Sequence, residues 1–232
     1  MTLTAPPSIF ANYDGGYISQ YFYYDGNNSP EKIYAGPVWD MDLTLGCYGY
    51  PWQTASPYTI LAGRPHMKQS TDAPLFHALC QKDLFIDRVS VIYKTIFLPK
   101  LSHLLTTELE VYEKKIKNAA EMDYIIWHTN EFSEYEGYIS FNRNYLTERI
   151  QFLNDLWLNN EKYYFVQANA SDGSVWGCFA LKPGEYLPDM IQKEGWSWFQ
   201  YGNDLPFDIN QPIHNNVSIY LAPEAATNTY NN

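Results

Sequence analysis

The chain has 232 residues with a formal net charge of −11, and 17% of its residues are aromatic. This length is enough for one good-sized hydrophobic core or two small ones. The negative charge argues against nucleic acid as a partner, because such binding needs a basic surface. No apolar run approaches the ~20 residues of a membrane span, which predicts no membrane insertion.

The first strands are expected in residues 9–46. The segments YISQYFYYDG (17–26) and KIYAGPVWDMDL (32–43) are aromatic and β-branched, and the turn-forming cluster DGNNSPE (25–31) joins them. This pattern predicts a β-hairpin or two adjacent strands. Residues 47–72, rich in Pro, Gly and Tyr without periodicity, are expected to form an ordered loop.

The helical zone is expected from about residue 72 to residue 158. Its first helix is indicated by apolar residues at helical spacing: Phe85, Val89, Ile92 and Ile96. Pro99 is expected to kink or end that helix. A charged helix follows, and the closing helix NRNYLTERIQFLNDLW (142–157) carries an apolar stripe of Leu146, Ile150, Leu153 and Trp157.

The last zone is expected to be β-structure. KYYFVQANASDGSVWGCFAL (162–181) and VSIYLAPE (217–224) have the composition of strands, and several glycines supply turns. The change of periodicity near LNNEK (158–162) predicts a domain boundary. We therefore predict an α+β chain with a mixed domain over residues 1–159, a small β-module over 160–224, and a tail or linker over 225–232.

Two carboxylates lie close together in GPVWDMDLTLG (36–46). In a strand, Asp40 and Asp42 would share one face, where they repel each other unless a cation lies between them. Mg²⁺ suits such a pair, because it takes one or two carboxylates and leaves positions for water and phosphate oxygens. Two alternatives stay open: the acids cap a local turn, or they form the D-x-D metal site of a glycosyltransferase.

A third carboxylate, Asp14, occurs in the glycine-rich segment ANYDGGYIS (11–19). The two following glycines allow unusual backbone angles, which would let Asp14 project into a site. The alternative is an ordinary Asp-Gly turn without a chemical role.

Residues 9–158 resemble the CotH family of spore-coat and secreted protein kinases. The resemblance rests on an N-x-D turn at Asn12–Asp14, the aromatic strand YFYYDG, and the motif G-P-x-W-D-x-D-x-x-x-G from Gly36 to Gly46. The closing helix FNRNYLTERIQFLNDLW also looks like the last helix of the family. The resemblance implies a protein-kinase-like C-terminal lobe, made of a short β-element and a helical bundle.

The same resemblance implies the roles of the site residues. Asp14 would be the catalytic or second metal-facing carboxylate, Asp40 the Mg²⁺ ligand, Trp39 a residue beside the nucleotide, and Asp42 a supporting metal ligand. The cofactors would be ATP and Mg²⁺, and the substrate Ser/Thr of an extracellular or coat protein. Kinases of this type have an N-terminal lobe with a phosphate-binding Lys. The catalytic turn begins near residue 12, so we expect that lobe to be missing here and the isolated chain to be a poor kinase or none.

The tail is similar to an internalin B-type repeat of bacterial surface proteins, a small β-grasp-like module. The residues that carry this similarity are Gly184, Leu187, Pro188, Gly195, Trp198, Phe207, Pro212, Ile213, Tyr220 and Ala222. The combination implies a secreted or cell-surface protein whose leader is not present in this chain. The alternative function is a catalytically inactive surface adhesion or scaffold protein.

Overall fold

The structure is a computed structural model of the 232-residue chain. It describes residues 10, 21–28, 32–36, 44–46, 58, 78–79, 82–127, 135–169, 175–188, 190 and 192–224. Helices dominate the middle of the chain and strands occur at both ends, as expected for the α+β class. The predicted tail, residues 225–232, lies outside the described residues.

The first strands form a short antiparallel hairpin. Strand β1 (Phe22–Tyr24) pairs with β2 (Ile33–Ala35), with Tyr23 opposite Tyr34. These two rings stack with their centroids 4.9 Å apart. In the intervening turn, Asp25 accepts hydrogen bonds from the backbone and side-chain nitrogens of Asn28, and these bonds lower the pKa of Asp25. The hairpin predicted from the aromatic segments and the turn cluster is therefore confirmed over these residues.

One long helical run follows the hairpin. Its segments are α1 (Asp83–Ile92), a π-helical turn (Tyr93–Phe97), α2 (Leu98–His103), a second π-helical turn (Leu104–Glu108) and α3 (Leu109–Trp127). Pro99 lies inside α2, so of the two expected effects, a kink or an end of the helix, the structure excludes the end. A proline crowds the carbonyl group four residues before it, and the wider π turn directly upstream relieves that crowding. In this turn the Leu98 N–H donates to the Tyr93 carbonyl oxygen, five residues back.

The first π turn also shifts the apolar face of the run. Val89 and Ile92 are buried as expected, but Ile96 is 45% exposed. Phe97 packs against the core instead, and Leu101 is buried next. The π turn holds one residue more than an α-turn, so the inward-facing positions move on by one residue.

The second π turn is in contact with the last helix, α4 (Tyr135–Trp157). The Leu109 N–H bonds to the Leu104 carbonyl oxygen, so it does not make the α-helical bond to Leu105. Arg143 of α4 donates to the Leu105 carbonyl oxygen instead, with Nη1 3.1 Å away. The Tyr135 hydroxyl adds a bond to the Glu113 carbonyl oxygen at 2.9 Å. Side chains of α4 thus hold the helical run at its irregular turn and at α3.

Helix α4 supplies half of the described buried residues of the helical core. The residues it buries recur at spacings of three and four, as an inward-facing helix requires: Tyr145, Leu146, Arg149, Phe152, Leu153 and Trp157. Tyr93 packs edge-on against Trp157, and its hydroxyl donates to Asn154 Oδ1 at 2.9 Å. The apolar stripe predicted for α4 is confirmed.

The C-terminal strands form one mixed sheet of four strands in the order β4-β3-β6-β5. The strands are β3 (Tyr164–Asn169), β4 (Val175–Leu181), β5 (Trp196–Gln200) and β6 (Val217–Pro223). The central strands β3 and β6 are parallel, and each outer strand is antiparallel to its neighbour.

Residues alternate between the two faces of the sheet. Val166 and Ala168 of β3 lie in a core formed by the sheet and its loops. Ala180 of β4 lies in the helical core instead, where Phe165 and Tyr163 pack against it. The division of the chain into residues 1–159 and 160–224 stays a prediction, but the helices and the sheet share apolar contacts.

Candidate functional site

The four residues predicted to form the site are Asp14, Trp39, Asp40 and Asp42. All four lie outside the described residues. Their predicted roles therefore stay predictions, and the described geometry comes from the residues on either side of them.

Two backbone hydrogen bonds join the segments that carry the acids. The Gly36 N–H donates to the Tyr21 carbonyl oxygen at 3.0 Å, at the open end of the hairpin. The Leu45 N–H donates to the Phe10 carbonyl oxygen at 2.9 Å. The described residues that flank the two acidic segments are thus paired, Phe10 with Leu45 and Tyr21 with Gly36.

The backbone conformation explains why glycine occurs at the first and last positions of the G-P-x-W-D-x-D-x-x-x-G motif. Gly36 has φ +132° and Gly46 has φ +88°, angles that side-chain-bearing residues rarely adopt. Leu45 also has a positive φ of 51°, which is uncommon for a bulky residue. The backbone therefore turns in an unusual way at the end of the motif.

The end of the motif packs on α4. A Cβ atom added at Gly46 would lie 3.0 Å from the Phe141 ring and 3.2 Å from the Tyr145 ring. Leu45 and Phe10 pack against the helical core. The hydrogen-bonded pair Leu45 and Phe10 is thus held in place by the helical core.

Arg149 lies one helical turn beyond Tyr145 and is fully buried. Its guanidinium carbon is 5.2 Å from the centroid of the Phe152 ring. Burial raises the pKa of the Tyr93 hydroxyl to about 12, and the positive charge of Arg149 opposes that change. Sequence reasoning missed this residue. The signal was an arginine flanked by the apolar stripe residues Leu146, Ile150 and Leu153.

In the part of the chain that the structure describes, no three Asp, Glu, His or Cys side chains come together in a group that could hold a metal ion. No helix in the described ranges combines the length and the hydrophobicity needed to cross a membrane.

The hairpin, the helices and the mixed sheet make this an α+β chain. Residues 5–153, well over half of the chain, match the family described as CotH kinase protein. The chain belongs to this family. No curated protein and no solved structure matches the chain.

Proposed function

We propose that this chain is part of a secreted or cell-surface protein kinase that uses Mg-ATP to phosphorylate Ser/Thr of extracellular or coat proteins. Membership of the CotH kinase family supports a kinase-like function and nucleotide use. The substrate, the metal and the location outside the cell are part of the proposal.

The observation that carries the proposal is the pair of hydrogen bonds joining the acidic segments. Asp14 follows Phe10 by four residues, and Asp40 precedes Leu45 by five. Chain segments of four or five residues span at most about 14 to 18 Å. Since Phe10 and Leu45 are hydrogen-bonded to each other, both carboxylates can reach one common site.

The chemistry of these donors fits a magnesium ion. Asp14, Asp40 and Asp42 would offer only carboxylate oxygens, which are the ligands that Mg²⁺ takes in phosphate-transfer sites. The bound ion would neutralise phosphate charge. In the proposed arrangement Asp40 anchors the metal, Asp42 supports it, Asp14 is catalytic or a second metal-facing carboxylate, and Trp39 lies beside the nucleotide.

Residues 160–224 are proposed to be an internalin B-type, β-grasp-like surface repeat. The mixed sheet, with its first and last strands parallel at the centre, supports this assignment. Such a repeat in turn supports a location on the cell surface or outside the cell.

The test is to measure ATP binding by the full 232-residue chain with calorimetry, in the presence and absence of Mg²⁺. We expect binding that needs Mg²⁺ and that falls by at least about tenfold in Asp40→Ala, because the metal loses its anchor. Asp87→Ala, which removes an exposed carboxylate from α1, is the matched control and should bind like the wild type. Equal binding by Asp40→Ala and Asp87→Ala would contradict the assignment of this site.

The alternative function is an inactive adhesion or scaffold protein. It predicts no Mg²⁺-dependent ATP binding by the wild type. The same calorimetric experiment therefore distinguishes the two functions.

A further inference from the structure

A cavity of about 600 Å³ lies between α4 and the C-terminal sheet. Its described lining comes from Tyr58, from the second half of α4, and from residues 163, 179–182, 185, 186 and 188. The volume is within the range of small-molecule sites, which occur preferentially where two structural units meet. The location thus satisfies the general requirements of a binding site.

Three tyrosines give this cavity aromatic faces. Tyr58 and Tyr163 both pack edge-on against Phe152 of α4, with ring centroids 5.9 and 5.0 Å away. Tyr186 also lines the cavity and is 60% exposed. Two of the rings are therefore fixed by the core, and the third faces solvent.

Asp155 connects the polar groups of the cavity. Its Oδ1 accepts hydrogen bonds from Gln151 Nε2 at 3.2 Å and from Asn159 Nδ2 at 3.3 Å, and its Oδ2 accepts one from the Tyr163 hydroxyl at 3.2 Å. These bonds hold Gln151 and Tyr163 in fixed orientations without a ligand.

Lys182 and Glu185 add a donor and an acceptor. Lys182 Nζ lies 3.8 Å from Asp155 Oδ2 and 3.8 Å from Glu161 Oε2, beyond the usual hydrogen-bond range, so it can still donate to a ligand. Glu185 Oε2 accepts the Lys182 backbone N–H at 2.7 Å, which fixes the carboxylate and leaves its second oxygen for a donor.

The charges around the cavity select the class of ligand. Burial raises the pKa of the Tyr58 hydroxyl, and the carboxylates of Glu148, Asp155 and Glu185 raise it further. The same negative groups repel an anionic ligand. Lys182 already neutralises part of this negative charge. A cationic ligand would therefore compete with the Lys182 ammonium group for the same carboxylates. An apolar ligand would leave the donors and acceptors of the cavity unpaired.

We propose that this cavity binds a neutral saccharide. Sugar rings carry C–H groups that pack on aromatic faces, and their hydroxyl groups both donate and accept hydrogen bonds. Tyr186 provides the exposed face, Glu185 accepts from a hydroxyl, and Lys182 donates to one. The site is independent of the proposed kinase function.

The experiment is a titration of the full chain with three neutral probes: cellotriose, maltotriose and triacetylchitotriose. Calorimetry and saturation-transfer NMR measure the binding of each probe. We expect at least one probe to bind. Tyr186→Ala should weaken that binding by roughly three- to tenfold, the loss expected for one aromatic contact. Because Tyr186 is exposed, this variant should fold normally, which circular dichroism checks.

Tyr112→Ala is the matched control, since it removes a similarly exposed tyrosine (53%) from α3. It should bind the probe as the wild type does. Binding of none of the three probes, or equal binding by Tyr186→Ala and Tyr112→Ala, would overturn the proposal. Tighter binding of spermidine than of every saccharide probe would also overturn it, because the cavity would then be a cation site.

Discussion

At the scale of single residues, the acidic motif ends in two successive positive φ angles. Leu45 and Gly46 both adopt them, and Gly46 lies against the rings of Phe141 and Tyr145. A backbone in such a conformation persists only when its surroundings stabilise it. Here those surroundings are α4 and the bond from Leu45 to Phe10.

Gly46→Ala should lower the free energy of unfolding by about 1–3 kcal/mol, because the added methyl group combines an unfavourable φ with overpacking against two rings. Chemical denaturation measures the change. Gly137→Ala is the control, since a Cβ atom there meets nothing within 4 Å and the residue lies in α4. It should be neutral or stabilising by up to ~1 kcal/mol. If Gly46→Ala is tolerated equally well, the close packing described here is wrong.

At the scale of elements, the π-helical turn at Tyr93–Phe97 decides which residues of the helical run face the core. An uninterrupted α-helix would continue the stripe of Val89 and Ile92 to Ile96. The turn directs Phe97 and Leu101 inward instead.

Alanine substitutions distinguish these two registers. Leu101→Ala should lower the free energy of unfolding by about 2–5 kcal/mol, because it leaves a cavity in the core. Ile96→Ala should cost less than about 1 kcal/mol, because Ile96 is 45% exposed. Thermal or chemical unfolding measures the loss of unfolding free energy in each variant. A larger loss for Ile96→Ala than for Leu101→Ala would contradict the register that the π turn sets.

At the scale of the whole molecule, the sheet is attached to the helices. The Ala180 N–H donates to the Tyr58 carbonyl oxygen at 2.8 Å, and Ala180 is buried in the helical core. Lys182 forms an ion pair with Asp155 of α4. A module that served only as a spacer would not need these contacts.

A chain ending at residue 159 should therefore unfold at a temperature lower by at least about 5 °C than the full chain, since the buried contacts of Tyr163, Phe165 and Ala180 are lost. Scanning calorimetry of the full chain should show one cooperative transition. A chain ending at residue 224 is the control and should unfold as the full chain does. Two separate transitions, or an unchanged unfolding temperature for the shorter chain, would mean that the module is independent.

The sequence by itself determined the features that depend on neighbouring residues. The hairpin, the apolar stripe of α4 and the strands β3, β4 and β6 follow from periodicity and turn composition. The order and spacing of the motif between Gly36 and Gly46 indicated the family that residues 5–153 match. The roles of Asp14, Trp39, Asp40 and Asp42 come from that motif and stay predictions.

Only the tertiary structure decided the features that depend on residues far apart in the chain. Periodicity assumes a constant number of residues per turn, so it placed Ile96 inside, where the π turn leaves it exposed. A charged residue is expected at the surface, yet Arg149 is fully buried. The order of the strands and the packing of Ala180 on the helices likewise depend on distant partners. Local propensity cannot specify such choices, because each of them is fixed by the free energy of packing against surfaces contributed by other parts of the chain.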